Sequence, residues 1–345
     1  MEKITINTTC CKSEILVGEK WETALRMIPE KGVVIITDEN VNRLYGKKFM
    51  NIPVFSIKPG ESSKKLEVIE SLASRLLEAG IDRSGFVLAA GGGVVCDVAG
   101  FLASIYMRGI RCAYISTTLL SQVDASAGGK TGVNLGNTKN MIGIIRQPEF
   151  VICDPDMLQT LPEQEYLSGL AELIKTAIIG DKELFDIIER SPDQILARDS
   201  VLLTQLIAKS VSFKGSVVSE DEMETGLRRI LNFGHTFGHA IEMHKGLKHG
   251  FAVASGMELA TEFSFERGLI NSEEKNRIIR LLNRFNLLEK LDISHNQIEK
   301  LILHDKKKTG SEIHFVFTAG IGKGIVEKIP VTEVLDFYKR FRAKN

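Results

Sequence analysis

The order of short apolar runs and helix-like segments in the first half of the chain constrains its fold more than any other feature. The apolar runs are of strand length, and they cover residues 33–38, 54–57, 86–90, 112–116 and 150–154. Between them, residues 66–78 and 97–106 carry apolar side chains at helical spacing. Such alternation predicts βαβ units, with a parallel sheet and helices on its faces. We therefore predict a Rossmann-like α/β domain over residues 1–163.

The pattern changes after Pro162, where long helical periodicity replaces the β-branched runs. The predicted helices cover Glu165–Ile179, Lys182–Glu189, Val201–Val217, Arg228–Glu242, Gly250–Arg267 and Glu273–Phe285. A strand is predicted over Ile313–Phe317, and an amphipathic helix is predicted to begin at Val331. The sequence thus predicts a second, mainly α-helical domain over residues 164–345.

Composition and charge argue against several classes of partner. The 345 residues include 44 basic and 44 acidic side chains, so no net field favours nucleic acid or an anionic membrane. No run of about 18 apolar residues stands out, and we therefore expect no transmembrane helix. The five cysteines are odd in number and form no CxxC pair, which is typical of a reduced, cytoplasmic protein.

Two histidines four residues apart, His235 and His239, lie in the helix-like run LNFGHTFGHAIE. Residues i and i+4 share one face of a helix, where two imidazoles can hold a metal ion or an anionic substrate. Each histidine follows a glycine. Glycine in a helix interior destabilises the helix by about 1 kcal/mol relative to alanine, so its presence suggests a role beyond packing. A carboxylate with two histidines is a common zinc site. The candidates are Glu172, His235, His239 and His249, and spacing alone favours the pair His235 and His239.

The first of two glycine-rich loops follows a predicted strand and precedes a predicted helix. Glycines at 91–93 would let a phosphate approach the amides at the helix N-terminus. The dinucleotide fingerprint GxGxxG is not met, because Cys96 stands at its last glycine. A nucleotide pyrophosphate nevertheless suits the loop, and Asp38 at a neighbouring strand end suits ribose hydroxyls.

The second glycine-rich loop, residues 128–134, carries Lys130 and is followed closely by Lys139 and Asn140. It lacks the four-residue spacer of a P-loop, so nucleotide hydrolysis chemistry of that kind is not indicated. Two lysines and an asparagine at the mouth of a sheet favour a bound phosphate or carboxylate.

Eight sequence blocks occur in the order in which one family has them. They read GGGVVCD, STTLLSQVDASAGGKTGVN, KNMIG, SGLAELIK, DEMETGLR, LNFGHTFGHAIE, KHG and HDKK. Together they closely resemble 3-dehydroquinate synthases, from about Asp38 to Lys307. The resemblance implies a dehydroquinate synthase-like fold, in which an N-terminal domain binds NAD, a helical C-terminal domain binds a metal, and two chains form a homodimer.

The resemblance also implies an activity. Members of the family convert 3-deoxy-D-arabino-heptulosonate 7-phosphate to 3-dehydroquinate and phosphate in the shikimate pathway of aromatic amino acid biosynthesis. NAD takes a hydride, phosphate leaves by elimination, the same NADH returns the hydride, and an aldol step closes the ring. The implied cofactors are NAD and one divalent metal, zinc or cobalt.

Site residues carry over onto matching positions of this chain. The implied metal ligands are Glu172, His235 and His249, which leaves His239 to contact substrate. The implied NAD contacts are Asp38, Glu61, Lys64, Gly92, Gly93, Asp97, Thr117, Thr118, Lys139 and Thr160. The implied substrate contacts are Asp124, Lys130, Asn140, Lys175, Lys214, Arg228, Asn232 and His239, with a further one from Lys306 or Lys307. Arg108 would reach across the dimer into the partner's site.

Three other readings use the same features. Another sugar phosphate cyclase would share the metal, NAD and fold, but the presence of Lys214 and Arg228 as a carboxylate clamp favours the synthase. A glycerol dehydrogenase-like oxidoreductase would release NADH and typically uses Asp where this chain has Glu172. A non-catalytic relative would be expected to lack metal ligands.

Overall fold

The computed structural model describes residues 1–8, 12–136, 138–303, 308–309 and 311–344. The chain forms two compact units. The N-terminal unit consists of Met1–Leu161 and Ser200–Met223, and the C-terminal unit consists of Pro162–Asp199 and Glu224–Asn345.

The strands, in chain order, are β1 (Glu2–Asn7), β2 (Lys12–Val17), β3 (Val33–Asp38), β4 (Val54–Ile57), β5 (Phe86–Gly91), β6 (Arg111–Ser116), β7 (Lys130–Leu135), β8 (Thr138–Ile145), β9 (Phe150–Cys153), β10 (Lys308–Thr309), β11 (Glu312–Thr318) and β12 (Gly324–Pro330). The α-helices are α1 (Ala24–Met27), α2 (Glu39–Tyr45), α3 (Leu66–Glu78), α4 (Gly93–Ile105), α5 (Glu163–Gly180), α6 (Lys182–Arg190), α7 (Pro192–Leu196), α8 (Ser200–Glu220), α9 (His235–Lys245), α10 (His249–Glu266), α11 (Ser272–Arg284), α12 (His295–Leu303) and α13 (Val331–Lys344).

A seven-stranded sheet forms the middle of the N-terminal unit. Its strand order is β1-β2-β9-β6-β5-β3-β4, and its neighbouring strands are parallel except for the antiparallel pair β1–β2. Successive residues Val34, Ile35 and Ile36 of β3 are all fully buried, which indicates that both faces of the sheet are covered. The predicted α/β fold is confirmed. The sheet also contains two strands that the sequence analysis did not predict, β2 and the antiparallel edge strand β1.

The carboxyl ends of the central parallel strands lie at one edge of this sheet. There β3 ends at Asp38, β5 ends at Gly91 and β6 ends at Ser116. Helix α2 follows β3 directly, and α4 begins one residue after Gly92, so helix N-termini also face this edge. Ligands of open α/β sheets bind at such an edge.

An antiparallel ribbon, β7–β8, occupies the second glycine-rich segment, and the sequence analysis did not predict it. Gly132 and Gly143 are opposite each other in the ribbon. A Cβ on Gly132 would lie 2.5 Å from the carbonyl oxygen of Ile142, so the glycines permit a close approach of the two backbones. A β-bulge interrupts the register at Asn134.

Helix α8 belongs to the N-terminal unit, although it lies in the chain between two segments of the C-terminal unit. It packs against β1 and β2, and its buried face includes Leu203, Ile207 and Val211. The predicted division at residues 163 and 164 assigned this helix to the second domain, and the structure departs from that division for residues 200–223.

By length and composition alone, α8 is also apolar enough to cross a membrane, contrary to the expectation that the chain has no such segment. This is weak evidence for a membrane span, because 56% of its most apolar window is buried inside the protein and core helices pass the same test.

Helices α5, α9 and α10 pack together in the C-terminal unit. A Cβ on Gly256 of α10 would lie 2.0 Å from the carbonyl oxygen of Gly234, just before α9. A Cβ on Gly250 would lie 2.1 Å from the carbonyl oxygen of Ser168 in α5. Glycine at both crossings lets the backbones approach each other closely. The first residues of α9 and α10 therefore lie close to α5.

The C-terminal unit is mainly helical and contains one small sheet, β10-β11-β12. Aromatic side chains pack β11 and α13 against α10. Phe263 of α10 stacks on Phe337 of α13 with ring centroids 4.4 Å apart, and Phe315 and Phe317 of β11 meet Phe263 edge-on. Such pairs stabilise a core beyond the area they bury. The mainly helical second domain is confirmed as a fold class.

The predicted helix Arg228–Glu242 is wrong as a single element. A 3₁₀-helix covers Leu227–Asn232, and α9 begins at His235. Between them Gly234 adopts φ +76°, in the left-handed region that favours glycine. A Cβ there would also lie 2.8 Å from the backbone nitrogen of Met257. The glycine therefore separates the two helical segments and makes His235 the first residue of the second.

Candidate functional site

Three helices of the C-terminal unit bring metal-binding atoms together. Glu172 lies in the middle of α5, and His235 and His249 are the first residues of α9 and α10. One ligand atom of each lies within 4.8 Å of the others. The Nε2 atoms of His235 and His249 lie 3.7 and 3.3 Å from Oε1 of Glu172. Ligands that bind zinc tetrahedrally at about 2.1 Å are roughly 3.4 Å apart, so this donor set fits a divalent ion.

Hydrogen bonds at the opposite ring nitrogens hold both imidazoles in place. Nδ1 of His235 lies 3.1 Å from the carbonyl oxygen of Phe233, and Nδ1 of His249 lies 3.0 Å from Oε2 of Glu242. A proton on each Nδ1 leaves Nε2 with the lone pair that binds a metal. Glu242 is therefore a residue of the site that sequence reasoning missed. Its only signal was its place at the end of the block LNFGHTFGHAIE.

Glu172 is fully buried, and within the described part of the chain neither of its carboxylate oxygens has a partner of hydrogen-bond geometry. Lys175, one turn further along α5, places Nζ 2.5 Å from Oε2. Burial raises the pKa of a carboxyl group, but the charge of Lys175 and the contacts with His249 outweigh it and lower the pKa of Glu172. The carboxylate therefore stays ionised, and its oxygens suit a cation.

His239 lies beside this group without joining it. Its ring centroid is 5.3 Å from that of His235 and 6.3 Å from that of His249. Among the described residues, the structure groups His249 rather than His239 with Glu172 and His235. This differs from the pair that spacing alone favours, because the break at Gly234 puts His235 at a helix end next to the start of α10.

The 3₁₀-helix before α9 carries two further substrate candidates. Arg228 is buried. Asn232 donates from Nδ2 to Oε1 of Glu224 at 2.6 Å. The predicted contact from Lys306 or Lys307 lies outside the described residues.

The turn between β5 and α4 in the N-terminal unit permits close approach. A Cβ on Gly92 would lie 2.8 Å from Cγ2 of Thr118, and a Cβ on Gly93 would lie 3.1 Å from Cβ of Ala125. Thr117 donates its backbone N–H to the carbonyl oxygen of Gly91 at 3.0 Å, which ties β6 to this turn. The amides in the first turn of α4 have no partner within the helix, so they suit a phosphate.

Lys64 is the centre of a charged cluster in the same unit. Its side chain is only 4% exposed, and Nζ lies 2.6 Å from Oδ2 of Asp97 and 3.9 Å from Oε1 of Glu61. Nζ also donates to Oδ1 of Asn140. Burial raises the pKa of Asp97 to about 6, although the charge of Lys64 opposes the shift. Four residues implied to contact cofactor or substrate are thus brought together.

Helix α8 supplies a second basic group to the N-terminal unit. Lys214 is buried and donates from Nζ to the main-chain oxygen of Asp124 at 2.6 Å, as well as to the Asp124 carboxylate. Lys130 is the first residue of β7, and Lys139 lies on β8, where both are exposed.

Three other implied residues lie at ends of elements. Asp38 caps α2, because its Oδ1 accepts from the backbone N–H groups of Asn40 and Val41 at 2.8 and 3.0 Å. The hydroxyl of Thr160 lies 3.0 Å from that of Tyr45. Arg108 is exposed in a turn after α4 with φ +68°.

The described site residues divide between the two units. The N-terminal unit holds Asp38, Glu61, Lys64, Gly92, Gly93, Asp97, Arg108, Thr117, Thr118, Asp124, Lys130, Lys139, Asn140, Thr160 and Lys214. The C-terminal unit holds Glu172, Lys175, Arg228, Asn232, His235, His239 and His249.

Most of the chain matches two family models that adjoin. The model described as 3-dehydroquinate synthase N-terminal matches residues 54–168, and the one described as 3-dehydroquinate synthase C-terminal matches residues 169–308. The chain belongs to the 3-dehydroquinate synthase family. The 3-dehydroquinate synthase of Solibacter usitatus (strain Ellin6076) is 42% identical over 88% of each chain. That of Alkaliphilus metalliredigens (strain QYMF) is 41% identical over 96% of each chain.

Solved structures of other sugar phosphate cyclases share the fold. A 2-deoxy-scyllo-inosose synthase, complexed with carbaglucose-6-phosphate, NAD+ and Co2+, is 26% identical with a TM-score of 0.88 over 98% of this chain and 100% of that one. The 2-epi-5-epi-valiolone synthase ValA from Streptomyces hygroscopicus subsp. jinggangensis has a TM-score of 0.87 over 100% of this chain and 99% of that one, at 24% identity.

Two positions depart from the motifs usual in 3-dehydroquinate synthases. Cys96, which stands where a glycine is common, is buried within α4, and burial raises the pKa of its thiol. It therefore packs as a neutral side chain. Phe251 stands where a glutamate is usual, two residues after His249. In this chain the carboxylate that contacts Nδ1 of His249 comes from Glu242.

Proposed function

We propose that this chain is a 3-dehydroquinate synthase, which converts 3-deoxy-D-arabino-heptulosonate 7-phosphate to 3-dehydroquinate and phosphate. The observation that carries the proposal is 41–42% identity to curated 3-dehydroquinate synthases over 88–96% of the chain. The identity to 2-deoxy-scyllo-inosose synthase is only 26%, so a cyclase for another sugar phosphate has less support.

The cofactors are NAD and one divalent metal, zinc or cobalt. The donor set of Glu172, His235 and His249 supports the metal, because a buried ionised carboxylate and two Nε2 atoms lie at ligand spacing. The open turn before α4 and the cluster around Lys64 support NAD. A related cyclase, 2-deoxy-scyllo-inosose synthase, binds NAD+ and Co2+.

The residues of this chain have separable tasks in that reaction. A metal held by the three ligands would act as a Lewis acid on substrate oxygens, and NAD would take up and return the hydride. Glu242 and the carbonyl oxygen of Phe233 keep the two histidines in the metal-binding tautomer. Lys175 keeps Glu172 ionised. Lysines, arginine and asparagine neutralise and orient the phosphate and carboxylate of the substrate, and this positioning lowers the barrier to elimination and ring closure.

The substrate contacts follow the motif positions of the family. They are Asp124, Lys130, Asn140, Lys175, Lys214, Arg228, Asn232 and His239, with one of Lys306 and Lys307. We further propose that the enzyme is a cytoplasmic homodimer in which Arg108 serves the partner's site.

Phosphate release and NADH formation, measured together, test the activity. Purified protein with metal, the heptulosonate phosphate and a small amount of NAD should release many equivalents of phosphate per NAD, with no net NADH. Accumulation of NADH in step with turnover would instead indicate a dehydrogenase. Phosphate release from a hexose phosphate, and none from the heptulosonate phosphate, would indicate another cyclase.

Lys130→Ala tests the substrate contacts. Because Lys130 is exposed at the start of β7, its removal should leave the fold intact. We expect kcat to fall by about a hundredfold or more, as when a charge-stabilising donor is removed. Lys31→Ala, at another exposed lysine of the same unit, is the matched control and should retain activity. Near-normal turnover in Lys130→Ala, with an unchanged circular dichroism spectrum, would count against the assignment.

A further inference from the structure

Asn134 joins segments that carry several of the implied cofactor and substrate contacts. Its backbone N–H donates to the carbonyl oxygen of Lys64 at 2.9 Å. Its Nδ2 donates to Oε1 of Glu61 at 2.9 Å, and its Oδ1 accepts from the backbone N–H of Asn140 at 2.9 Å. One half-buried residue thus ties the turn at residues 61–64 to the second strand of the ribbon β7–β8.

The β-bulge makes these bonds available. The register of the ribbon shifts between Val133 and Leu135, so Asn134 has no Cα partner in β8. Asn140 adopts φ +53°, a left-handed conformation that asparagine tolerates better than most residues. The side-chain oxygen of Asn134 supplies the acceptor that regular pairing would otherwise give to the N–H of Asn140.

The buried ammonium group of Lys64 lies beside both groups that Asn134 holds. Its buried Nζ donates to Oδ1 of Asn140 and lies 3.9 Å from the Glu61 carboxylate, in addition to its 2.6 Å contact with Asp97. A buried ammonium is destabilised when any of its few partners moves. A displacement of Glu61 or Asn140 would therefore also displace the lysine.

We propose that Asn134 is a positioning residue for NAD binding. It acts through Glu61, Lys64 and Asn140 by fixing where their polar groups lie. The inference rests on the proposed function, since those residues contact NAD or substrate only if the chain is a 3-dehydroquinate synthase.

Asn134→Ala removes both side-chain hydrogen bonds and leaves the backbone bond to Lys64. We expect the dissociation constant for NAD, measured by titration calorimetry, to rise roughly tenfold, because hydrogen bonds to charged groups are the stronger ones. The KM for NAD should rise in parallel, while kcat at saturating NAD changes less than about threefold. A purely structural defect would instead lower the melting temperature of the NAD-free protein. Thr138→Ala, at an exposed residue of the same ribbon, is the control and should bind NAD as the wild type does.

A sharper test replaces the donor in the hydrogen bond from Asn134 to Glu61 with an acceptor. In Asn134→Asp, a carboxylate would face the Glu61 carboxylate, while an oxygen would remain for the N–H of Asn140. NAD should bind more weakly than in Asn134→Ala. Adding Glu61→Gln restores a donor opposite the new acid and the original net charge. Because Glu61 is itself an implied NAD contact, Glu61→Gln alone completes a double-mutant cycle. Asn134→Asp should weaken NAD binding at least about fivefold less in the Glu61→Gln background than in the wild type.

The same measurements distinguish the proposed function from the proposed role of Asn134. If the wild type neither binds NAD nor releases phosphate from the heptulosonate phosphate, the proposed function is wrong. If the wild type does both, the role of Asn134 is overturned by either of two results. One is an Asn134→Ala dissociation constant within twofold of the wild-type value. The other is a weakening of NAD binding by Asn134→Asp that is as large in the Glu61→Gln background as in the wild type.

Discussion

Folding raises the pKa of the Asp97 carboxyl group. Burial raises its pKa from 3.8 to about 6, despite the ammonium of Lys64 at 2.6 Å. A group whose pKa is raised by folding contributes stability that is fully present below its unfolded pKa and is lost as pH rises through its folded pKa. Between about pH 4 and pH 6, Asp97 should therefore lower the free energy of unfolding by up to about 3 kcal/mol.

Asp97→Asn removes this titration. The difference in unfolding free energy, variant minus wild type, should become more positive from pH 4 to pH 7 in urea denaturation of the NAD-free protein. Asp82→Asn should show no such rise over this range, because hydrogen bonds from Ser84 lower the pKa of the exposed Asp82 and its effect on stability changes mainly below about pH 4. A pH-independent difference for Asp97→Asn would contradict the raised pKa.

From the residue types, the chemistry of the candidate site could be predicted better than the contacts between its residues. A carboxylate and histidines predict a metal from donor type alone, and spacing left the choice between His239 and His249 open. Only the fold shows which atoms meet, because Glu172 and His249 are separated by 77 positions in the chain. Asn134 had no signal and Glu242 had only its place in the block LNFGHTFGHAIE, since their roles depend on a bulge and on a turn between helices.

At the scale of elements, periodicity predicted most of the α-helices and six of the twelve described strands, but not how these elements meet. Strand β3 and helix α3 have the predicted bounds, because a buried apolar run and an amphipathic repeat are local properties. The glycines beside the histidines suggested a role beyond packing. The structure shows that Gly238 serves close packing of helices, because a Cβ there would lie 3.0 Å from Cα of Val253 in α10.

Gly256→Ala tests whether this close crossing holds the metal ligands together. The added methyl would lie 2.0 Å from the carbonyl oxygen of Gly234, so α9 and α10 must separate. We expect a loss of about 1–3 kcal/mol in unfolding free energy. The affinity for zinc, measured by competition with a chelator, should fall about tenfold or more because His235 and His249 begin these two helices.

Gly215→Ala is the matched control in a helix of the other unit. Its Cβ would lie 3.3 Å from the side chain of Ile6, which can yield. Metal affinity should not change in this variant. An unchanged metal affinity in Gly256→Ala would show that the helix crossing does not set the ligand geometry.

For the whole molecule, the path of the chain was the hardest feature to predict. The chain leaves the N-terminal unit at Leu161, returns for α8 and leaves again at Met223. The apolar face of α8 identifies a buried helix, but nothing in its sequence says which unit buries it. The same ambiguity makes α8 pass a test of length and composition for membrane helices. Its placement against β1 and β2 is decided by tertiary packing.

The ribbon β7–β8 bears on the proposed homodimer. Within the described residues, β8 pairs on one side only, and Leu135, Met141 and Ile144 of the ribbon are 44–54% exposed. Exposed apolar edge strands are normally covered by another chain or element. We expect sedimentation velocity to give twice the mass of the chain, and Met141→Glu with Ile144→Lys to shift it toward the single-chain mass. A wild-type protein that sediments as a single chain would contradict the dimer.

Mixing two inactive variants tests whether Arg108 acts on the partner's site. Arg108→Ala and Lys130→Ala should each be inactive as homodimers. In a mixed dimer, the Arg108→Ala chain keeps its own Lys130 and receives Arg108 of the partner subunit, so one of the two sites is intact. Random pairing after co-expression should restore about a quarter of wild-type activity, since half of the dimers are mixed and each has one working site. If Arg108 serves the site of its own chain, every site carries a defect and co-expression restores nothing.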